Sequence, residues 1–324
     1  MIWLAWRQHR AALCALGVYV LAVVALMVYY RSTMLAEVDA RHVWNCLPDE
    51  RTQACLRNRS YWQLWAISVP AARNVFWALA GYMVLAGVFA GAPAFGRELE
   101  QGTHLLALSQ SVRPRRWFFV KLGMVAVPAL LGAVVLGLVR AWWVSSLGDL
   151  MGARERFQPG QFEVQPLTMV GYTVFALALG VACGLLVRRV VPAMALTLVG
   201  AVGVMYVVGR FLRPHYRPPV VGQFDRAEFQ TDRARWSLRQ DVIVDLAGGD
   251  VDGARRDAVL RACDGPWGSR AFEGCLVDHG LRLASFVHPG HRFWLFQGIE
   301  FGLFALLAGV LVAVAVWLLR RRMS

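Results

Sequence analysis

The chain has few charged residues and a single lysine, Lys121. Charged residues make up 17% of its 324 residues and hydrophobic residues 57%, and the mean hydropathy is +0.46. This composition excludes a water-soluble globular protein and indicates a polytopic membrane protein. A Walker-type phosphate-binding loop needs Gly-Lys-Ser/Thr, but Val120 precedes Lys121, so the chain has no such loop. The G-x-S-x-G and HExxH catalytic motifs are also absent from the sequence.

Six apolar stretches are long enough to cross the hydrocarbon core, which takes about 20 residues of helix. The predicted spans are Ala11–Tyr30, Val75–Phe95, Trp117–Val139, Thr168–Val187, Val190–Leu212 and Phe293–Leu319. The first is longer than the apolar region of a signal peptide and is followed by five more, so we expect a true span. The Arg188–Arg189 turn is so tight that it predicts antiparallel neighbours on either side. Six spans place both termini on one side of the membrane.

Basic residues cluster near the span ends on the side that holds both termini. They are Arg7 and Arg10; Arg97, Arg113, Arg115, Arg116 and Lys121; Arg188 and Arg189; and Arg320, Arg321 and Arg322. The positive-inside rule therefore predicts that this side is cytoplasmic. A net charge of +13 would suggest nucleic acid for a soluble protein, but the acidic residues fall mostly in the outer loops. We expect the basic rim to reflect topology and anionic lipid headgroups, with no nucleic-acid partner.

The cysteines agree with this topology. Two fall inside spans and four in outer loops: Cys14 and Cys183, and then Cys46 with Cys55 and Cys263 with Cys275. Two close pairs on the outer face predict two local disulfides in an oxidising compartment. Disulfides that cross-link the two loops, and free thiols, are the alternatives. Neither spacing resembles a structural zinc site.

Two segments outside the spans carry further predictions. Residues 213–292 open with RPHYRPP, which cannot continue a helix. Leu, Val and Trp then recur at helical spacings from about residue 226 to residue 263, so we expect a small, mostly helical extracellular cap braced by Cys263–Cys275. Met1–Arg10 combines tryptophan and arginine, as in a short interfacial helix, although a plain flanking segment would look the same. The predicted domains are residues 1–212 with five spans, the cap at 213–292, and residues 293–324 with the last span and a basic tail.

Gln297 and Glu300 share one helical face inside the last predicted span. Ionisable groups inside a membrane are unfavourable and usually face a protein interior or a cavity. The pair therefore predicts either the lining of a substrate path or a buried contact between helices. Arg140, at the outer end of the third span, is a possible partner for Glu300; alternatively, its side chain extends to the outer interface.

Histidines precede the last span in the sequence HPGH. His288 and His291, with His279 and Asp278 nearby, could form an outer metal site. A Pro-Gly turn that leads into the span explains the same residues better, so we predict no metal site and no catalytic residues.

A compact charged segment, GRELEQGTHLLALSQSVRPRRWFFVKLG, separates the second span from the third. Its first part places several polar residues on a helical stretch with leucines: Arg97, Glu98, Glu100, Gln101 and His104. Pro114 then ends this stretch. We predict a short cytoplasmic helix over about residues 96–112, held at both ends by membrane helices and suited to docking another protein. A solvated loop is the alternative.

This segment, the opening WLAWRQHR and the closing HPGHRFWLFQGIEFGLFALLAG with its arginine tail resemble permease subunits of actinobacterial type-2 ATP-binding-cassette (ABC) exporters. The resemblance implies a six-helix permease with an N-terminal interfacial helix, paired with a second permease, identical or not. It also implies a separate ATPase dimer that binds the ATP and Mg²⁺. By the same analogy, Glu98, Glu100, Gln101 and Thr103 contact the ATPase through a coupling helix. Gln297 and Glu300 match the Q-x-x-E of the family, whereas the outer region before them is larger than in many relatives.

The resemblance leads us to expect a transport subunit in a bacterial plasma membrane, not an enzyme. It would export an amphipathic, lipid-like or antibiotic-type substrate, driven by the partner ATPase. The alternative is a non-transporting immunity or sensor protein whose cap binds a ligand. A membrane-embedded enzyme is disfavoured, because the spans contain no clustered catalytic set.

Overall fold

The computed structural model describes residues 2–42, 59–102, 114–145, 156–222 and 235–323. In these ranges, six helices are long and apolar enough to cross a membrane, and together they contain all six predicted spans. The chain divides into two compact units. The helical unit comprises Met1–Ala153, Pro159–Arg213 and Trp294–Ser324, and the inserted unit comprises Arg154–Gln158 and Pro214–Phe293.

The helical unit is built from long helices that extend beyond the predicted spans. They are α1 (Ile2–Ala40), α2 (Arg59–Leu85), α3 (Ala92–Glu100), α4 (Pro114–Ser145), α5 (Pro166–Val187), α6 (Val190–Val207) and α9 (Phe293–Met323). A π-helical turn, Ala86–Gly91, joins α2 to α3, and a second, Val208–Leu212, follows α6. Helix α5 is the most buried of these helices. The two-residue turn after it, with Arg188 in a left-handed conformation, confirms that α5 and α6 are neighbours.

The two short helices predicted beside the spans are not confirmed as separate elements. Helix α1 runs without interruption from Ile2 to Ala40, and no proline occurs within it to break it, so the interfacial helix Met1–Arg10 is not confirmed. The predicted coupling helix at 96–112 is described only over its first residues. Its first residues are the last turn of α3, which ends at Glu100 and is followed by Gly102 with a φ of +69°. Residues 103–112 lie outside the described ranges.

Glycines hold the second spanning segment, Arg59–Glu100, against α5. Gly87 and Gly91 lie on the π turn, and Gly180 and Gly184 face them from α5. A Cβ on Gly184 would lie 2.5 Å from the carbonyl oxygen of Ala92, and a Cβ on Gly180 would meet the carbonyl oxygen of Gly87. Small residues at a spacing of four allow such close backbone contact between membrane helices. The contact fixes the position of α3.

The inserted unit contains a sheet, which corrects the prediction of a mostly helical cap. Strands β1 (Val220–Gly222) and β2 (Trp236–Asp245) both pair antiparallel with β3 (Leu281–His288), in the order β1-β3-β2. Two short helices, α7 (Gly253–Ala262) and α8 (Arg270–Asp278), lie between β2 and β3 in the chain. Val and Ile in β2 and the alternating apolar residues of β3 favour strands, whereas the helical spacings hold only for α7 and α8.

The disulfide between Cys263 and Cys275 is confirmed. It ties the end of α7 to α8 beside a core of Ile243, Phe272 and Leu281. The other predicted pair, Cys46 and Cys55, lies outside the described residues. Cys14 and Cys183 are free.

Removing this disulfide should destabilise the inserted unit. The bond closes a loop with a sequence separation of 12, so its loss in Cys263→Ser/Cys275→Ser should cost about 3 kcal/mol. Limited proteolysis of the full chain in detergent should show faster cleavage between β2 and β3. The matched control is Cys14→Ser, which replaces an exposed free thiol. Equal protease resistance of the two variants would contradict the prediction.

Candidate functional site

A cavity of about 660 Å³ lies within the helical unit, between α1, the second spanning segment, α4 and α6. Its volume falls in the range of small-molecule sites, roughly 300–1,000 Å³. The walls are mostly apolar or small side chains: Ala11, Ala12, Ala15, Leu16, Leu85, Phe89, Pro93, Ala94, Val190 and Met194. Two tyrosines also line it, but their hydroxyls donate to backbone carbonyls, Tyr19 to Ala78 at 2.8 Å and Tyr82 to Ala129 at 2.7 Å. The walls therefore offer little free polarity.

The ionisable residues of the cavity are His9 from α1, Arg97 and Glu98 from α3, and Lys121 from α4. The ammonium group of Lys121 lies 2.6 Å from Glu98 Oε1, and both side chains are buried. The rings of Phe95 and Trp117 also face this ammonium, each with its centroid at 5.3 Å. The single lysine of the chain thus joins α3 to α4 instead of lying on a basic rim.

The predicted docking residues divide between the interior and the surface. Glu98 faces inward in its ion pair, whereas Arg97, Glu100 and Gln101 are exposed. Glu100 Oε2 accepts the backbone N–H of Val190 at 2.9 Å, so the carboxylate caps the first turn of α6 from a neighbouring helix. Thr103 and His104 lie outside the described residues. The exposed end of α3 is therefore linked to α6 by Glu100 and to α4 by Glu98.

A second polar cluster surrounds Glu300, which is fully buried. Arg213 binds its carboxylate with two nitrogens, Nε to Oε2 at 2.9 Å and Nη2 to Oε1 at 2.7 Å. The third nitrogen of Arg213 donates to Glu163 at 2.7 Å, and the guanidinium stacks 4.1 Å from the Phe162 ring centroid. Tyr172 donates its hydroxyl to Glu300. This bidentate geometry is the strongest form of an arginine–carboxylate contact.

Arg140 is not the partner of Glu300, which corrects the prediction. It is buried and donates to Gln161 Oε1. Gln297 accepts the N–H of Thr168 at 3.3 Å and donates to the carbonyl of Phe162 at 3.1 Å. Gln297 and Glu300 therefore join α9 to the start of α5, and neither lines the cavity.

The histidines of the inserted unit lie in separate hydrogen bonds. His288 Nε2 is 3.1 Å from the carbonyl oxygen of Pro214, and burial, assisted by the nearby charge of Arg292, lowers the pKa of His288. His279 Nδ1 lies 2.8 Å from the carbonyl oxygen of Cys275. Within the described residues, the one close group of possible metal ligands is His279 with Cys263 and Cys275. Those two sulfurs are consumed in the disulfide.

Two features were missed from the sequence although signals for both were present. Lys121 lies within an apolar stretch, which implies a buried partner, and the glycines of GVFAG and GVACG have the spacing of helix-packing motifs.

Six membrane-length helices, of which four contribute to a cavity with mostly apolar walls, indicate a multi-pass membrane protein. Residues 17–213 match the family model described as ABC-2 membrane transporter related. The match covers more than half of the chain, and the protein belongs to this family. Membership makes it a transport subunit of the ABC class and implies partnership with an ABC ATPase. Comparisons with curated proteins and with solved structures found no significant match.

Proposed function

We propose that the chain is the permease subunit of an ATP-driven exporter in a bacterial plasma membrane. Its substrate is amphipathic, of the lipid-like or antibiotic type, and enters the cavity between α1, the second spanning segment, α4 and α6. The observation that carries this proposal is the cavity itself, with apolar walls and a small set of ionisable residues. Such a surface matches a molecule that has a long apolar part and a polar group.

The proposed orientation of the chain in the membrane is based on the distribution of its arginines. The beginning of α1, the end of α3 and the beginning of α6 meet at one end of the cavity, where His9, Arg97 and Val190 line it. The same end carries Arg10 and Arg189 in the sequence. The positive-inside rule supports a cytoplasmic position for a basic end of this kind, and we propose that both termini lie on that side.

Energy arrives from a separate ATPase dimer, which binds ATP and Mg²⁺. The ATPase docks on the exposed Glu100 and Gln101 and on the segment that follows, including Thr103 and His104. Arg97, which the sequence also predicts at this surface, lines the cavity. A second permease, identical or related, completes the transporter. Glu98 serves a different purpose, since its carboxylate is already occupied by Lys121.

The contacts of α3 connect the ATPase docking surface to the helices that line the cavity. Displacement of α3 by the ATPase moves α6 through the Glu100 contact and α4 through the ion pair of Glu98 with Lys121. Both helices line the cavity, so its width changes with the position of α3. A shift of packed helices against each other is a common form of such transitions.

Charge reversal at Glu100 should uncouple the permease from its ATPase. Glu100→Lys reverses the charge of this exposed position, and we expect at least a tenfold loss of substrate-stimulated ATP hydrolysis in proteoliposomes that contain the permease with its partner ATPase. Glu100→Gln retains an oxygen acceptor for Val190 and separates capping from charge. Asp278→Lys, at an exposed position of the inserted unit, is the control for reversal of an acidic residue to lysine. Normal coupled activity of Glu100→Lys would contradict docking at this surface.

A further inference from the structure

We infer that the ionisable end of the cavity recognises the acidic head group, a carboxylate or a phosphate, of the amphiphile that the cavity holds. His9 and Arg97 contact the head group, and the apolar walls take the acyl or aromatic body. The inference rests on the proposed transport function for its biological meaning. The binding itself needs no ATPase and can be measured without one.

The charge balance at this end favours an anion. Lys121 and Glu98 neutralise each other across 2.6 Å. Arg97 is exposed and lines the cavity, and it forms no ion pair among the described residues. The four ionisable side chains therefore carry one net positive charge when His9 is neutral and two when it is protonated. A cationic head group would be repelled here, whereas a carboxylate or phosphate is attracted.

His9 provides the second, independent observation. It is 9% exposed, and its Nε2 has no hydrogen-bond partner among the residues described in the structure. A buried polar atom without a partner is unfavourable, and such atoms in folded proteins usually have a protein, water or ligand partner. His9 lines the same cavity as Arg97. An acidic head group would accept a hydrogen bond from the Nε2–H of His9 while its charge faces Arg97.

The rest of the cavity selects the body of the ligand. Leu16, Leu85 and Phe89 line it, and the tyrosine hydroxyls are occupied by backbone carbonyls. A large polar body such as an oligosaccharide would lose its hydrogen bonds to water here and find few replacements. The occupant is therefore one acidic group attached to an acyl or aromatic part.

The test measures binding to the purified full chain, without any ATPase, in nanodiscs of zwitterionic phospholipid. Dodecanoic acid is the probe, and dodecanol and dodecyltrimethylammonium are the matched neutral and cationic probes. We expect the acid to bind at least tenfold more tightly than either. Equal affinity for the acid and the alcohol, or preference for the cation, would overturn the inference.

Variants assign the effect to named side chains. Arg97→Gln and His9→Leu should each weaken binding of the acid about tenfold and leave binding of the alcohol unchanged. Arg97→Lys and His9→Gln, which keep the charge and an N–H donor respectively, should retain part of the affinity. The matched control is Arg10→Gln, which removes an exposed arginine that does not line the cavity. If Arg10→Gln weakens acid binding as much as Arg97→Gln, the preference reflects the general basic surface, and the site is wrong.

A competition experiment distinguishes the two sources of such a ligand. Phosphatidic acid in the nanodisc should displace the probe if the natural occupant is a membrane lipid. A free carboxylic acid with an aromatic body should displace it if the occupant is a small molecule. Displacement by neither would overturn the inference. Selective acid binding combined with normal ATPase coupling of Glu100→Lys would leave the head-group site intact and refute only the proposed coupling.

Discussion

Replacing Arg213 by methionine should lower the free energy of unfolding by about 3–5 kcal/mol. The substitution leaves the carboxylate of Glu300, which is fully buried, without the guanidinium that binds both of its oxygens. An uncompensated buried charge is far more unfavourable than the loss of an exposed ion pair. Thermal unfolding of the purified full chain in a mild detergent measures the effect.

The matched control is Arg210→Met, which removes an exposed arginine from the preceding π turn. It should change stability by less than about 0.5 kcal/mol, as surface substitutions usually do. The double variant Arg213→Met/Glu300→Met should recover much of the lost stability, because an apolar pair can replace a buried ion pair. If Arg213→Met were as stable as Arg210→Met, the ion pair would not hold α9 in place.

Gly180→Ala should strongly destabilise the helical unit, by about 3 kcal/mol. The added methyl group would meet the carbonyl oxygen of Gly87 and would lie 2.8 Å from the backbone nitrogen of Ala92. Backbone atoms cannot rotate away as a flexible side chain can, so α5 and the second spanning segment must separate. The same detergent unfolding assay gives the change in stability.

Gly203→Ala on α6 is the control, because a Cβ at Gly203 has no heavy atom within 4 Å. Alanine favours a helix over glycine by up to about 1 kcal/mol, so this variant should be as stable as the native chain or more stable. We therefore expect Gly→Ala to lower the stability at position 180 and to leave it unchanged or raise it at position 203. Similar stabilities for Gly180→Ala and Gly203→Ala would contradict the close helix contact.

The spans could be predicted from the sequence because each depends on a local apolar run of sufficient length. The buried ion pairs could not, because their partners are distant in the chain. Glu300 was recognised as needing a partner, but Arg213 lies 87 residues away. It was assigned to the cap because RPHYRPP ends a helix there. The sequence suggests Arg140 as the partner of Glu300 because both lie near the outer end of a span. Depth in the membrane does not determine which helices are neighbours.

The inserted unit shows a different limit. Apolar residues recur at helical spacings from about residue 226 to residue 263, and the prediction extends that pattern to the whole inserted segment. The strand signals of β2 and β3 lie at either end of it, and their pairing across the sequence cannot be seen in either strand alone. At the predicted docking helix, the early end of α3 follows from the left-handed backbone of Gly102, a conformation that glycine permits but does not require.

The bond between Arg213 and Glu300 has a topological consequence. Arg213 is the last residue of the helical unit before Pro214–Phe293, and Glu300 lies in the first turns after the chain re-enters that unit at Trp294. The excursion is closed at its base by a side-chain contact that belongs entirely to the helical unit. The entropy of closing a loop grows only with the logarithm of its length, by about 0.6 kcal/mol for each doubling. We therefore expect changes in the length of Pro214–Phe293 to add little to the entropic cost of closing this loop.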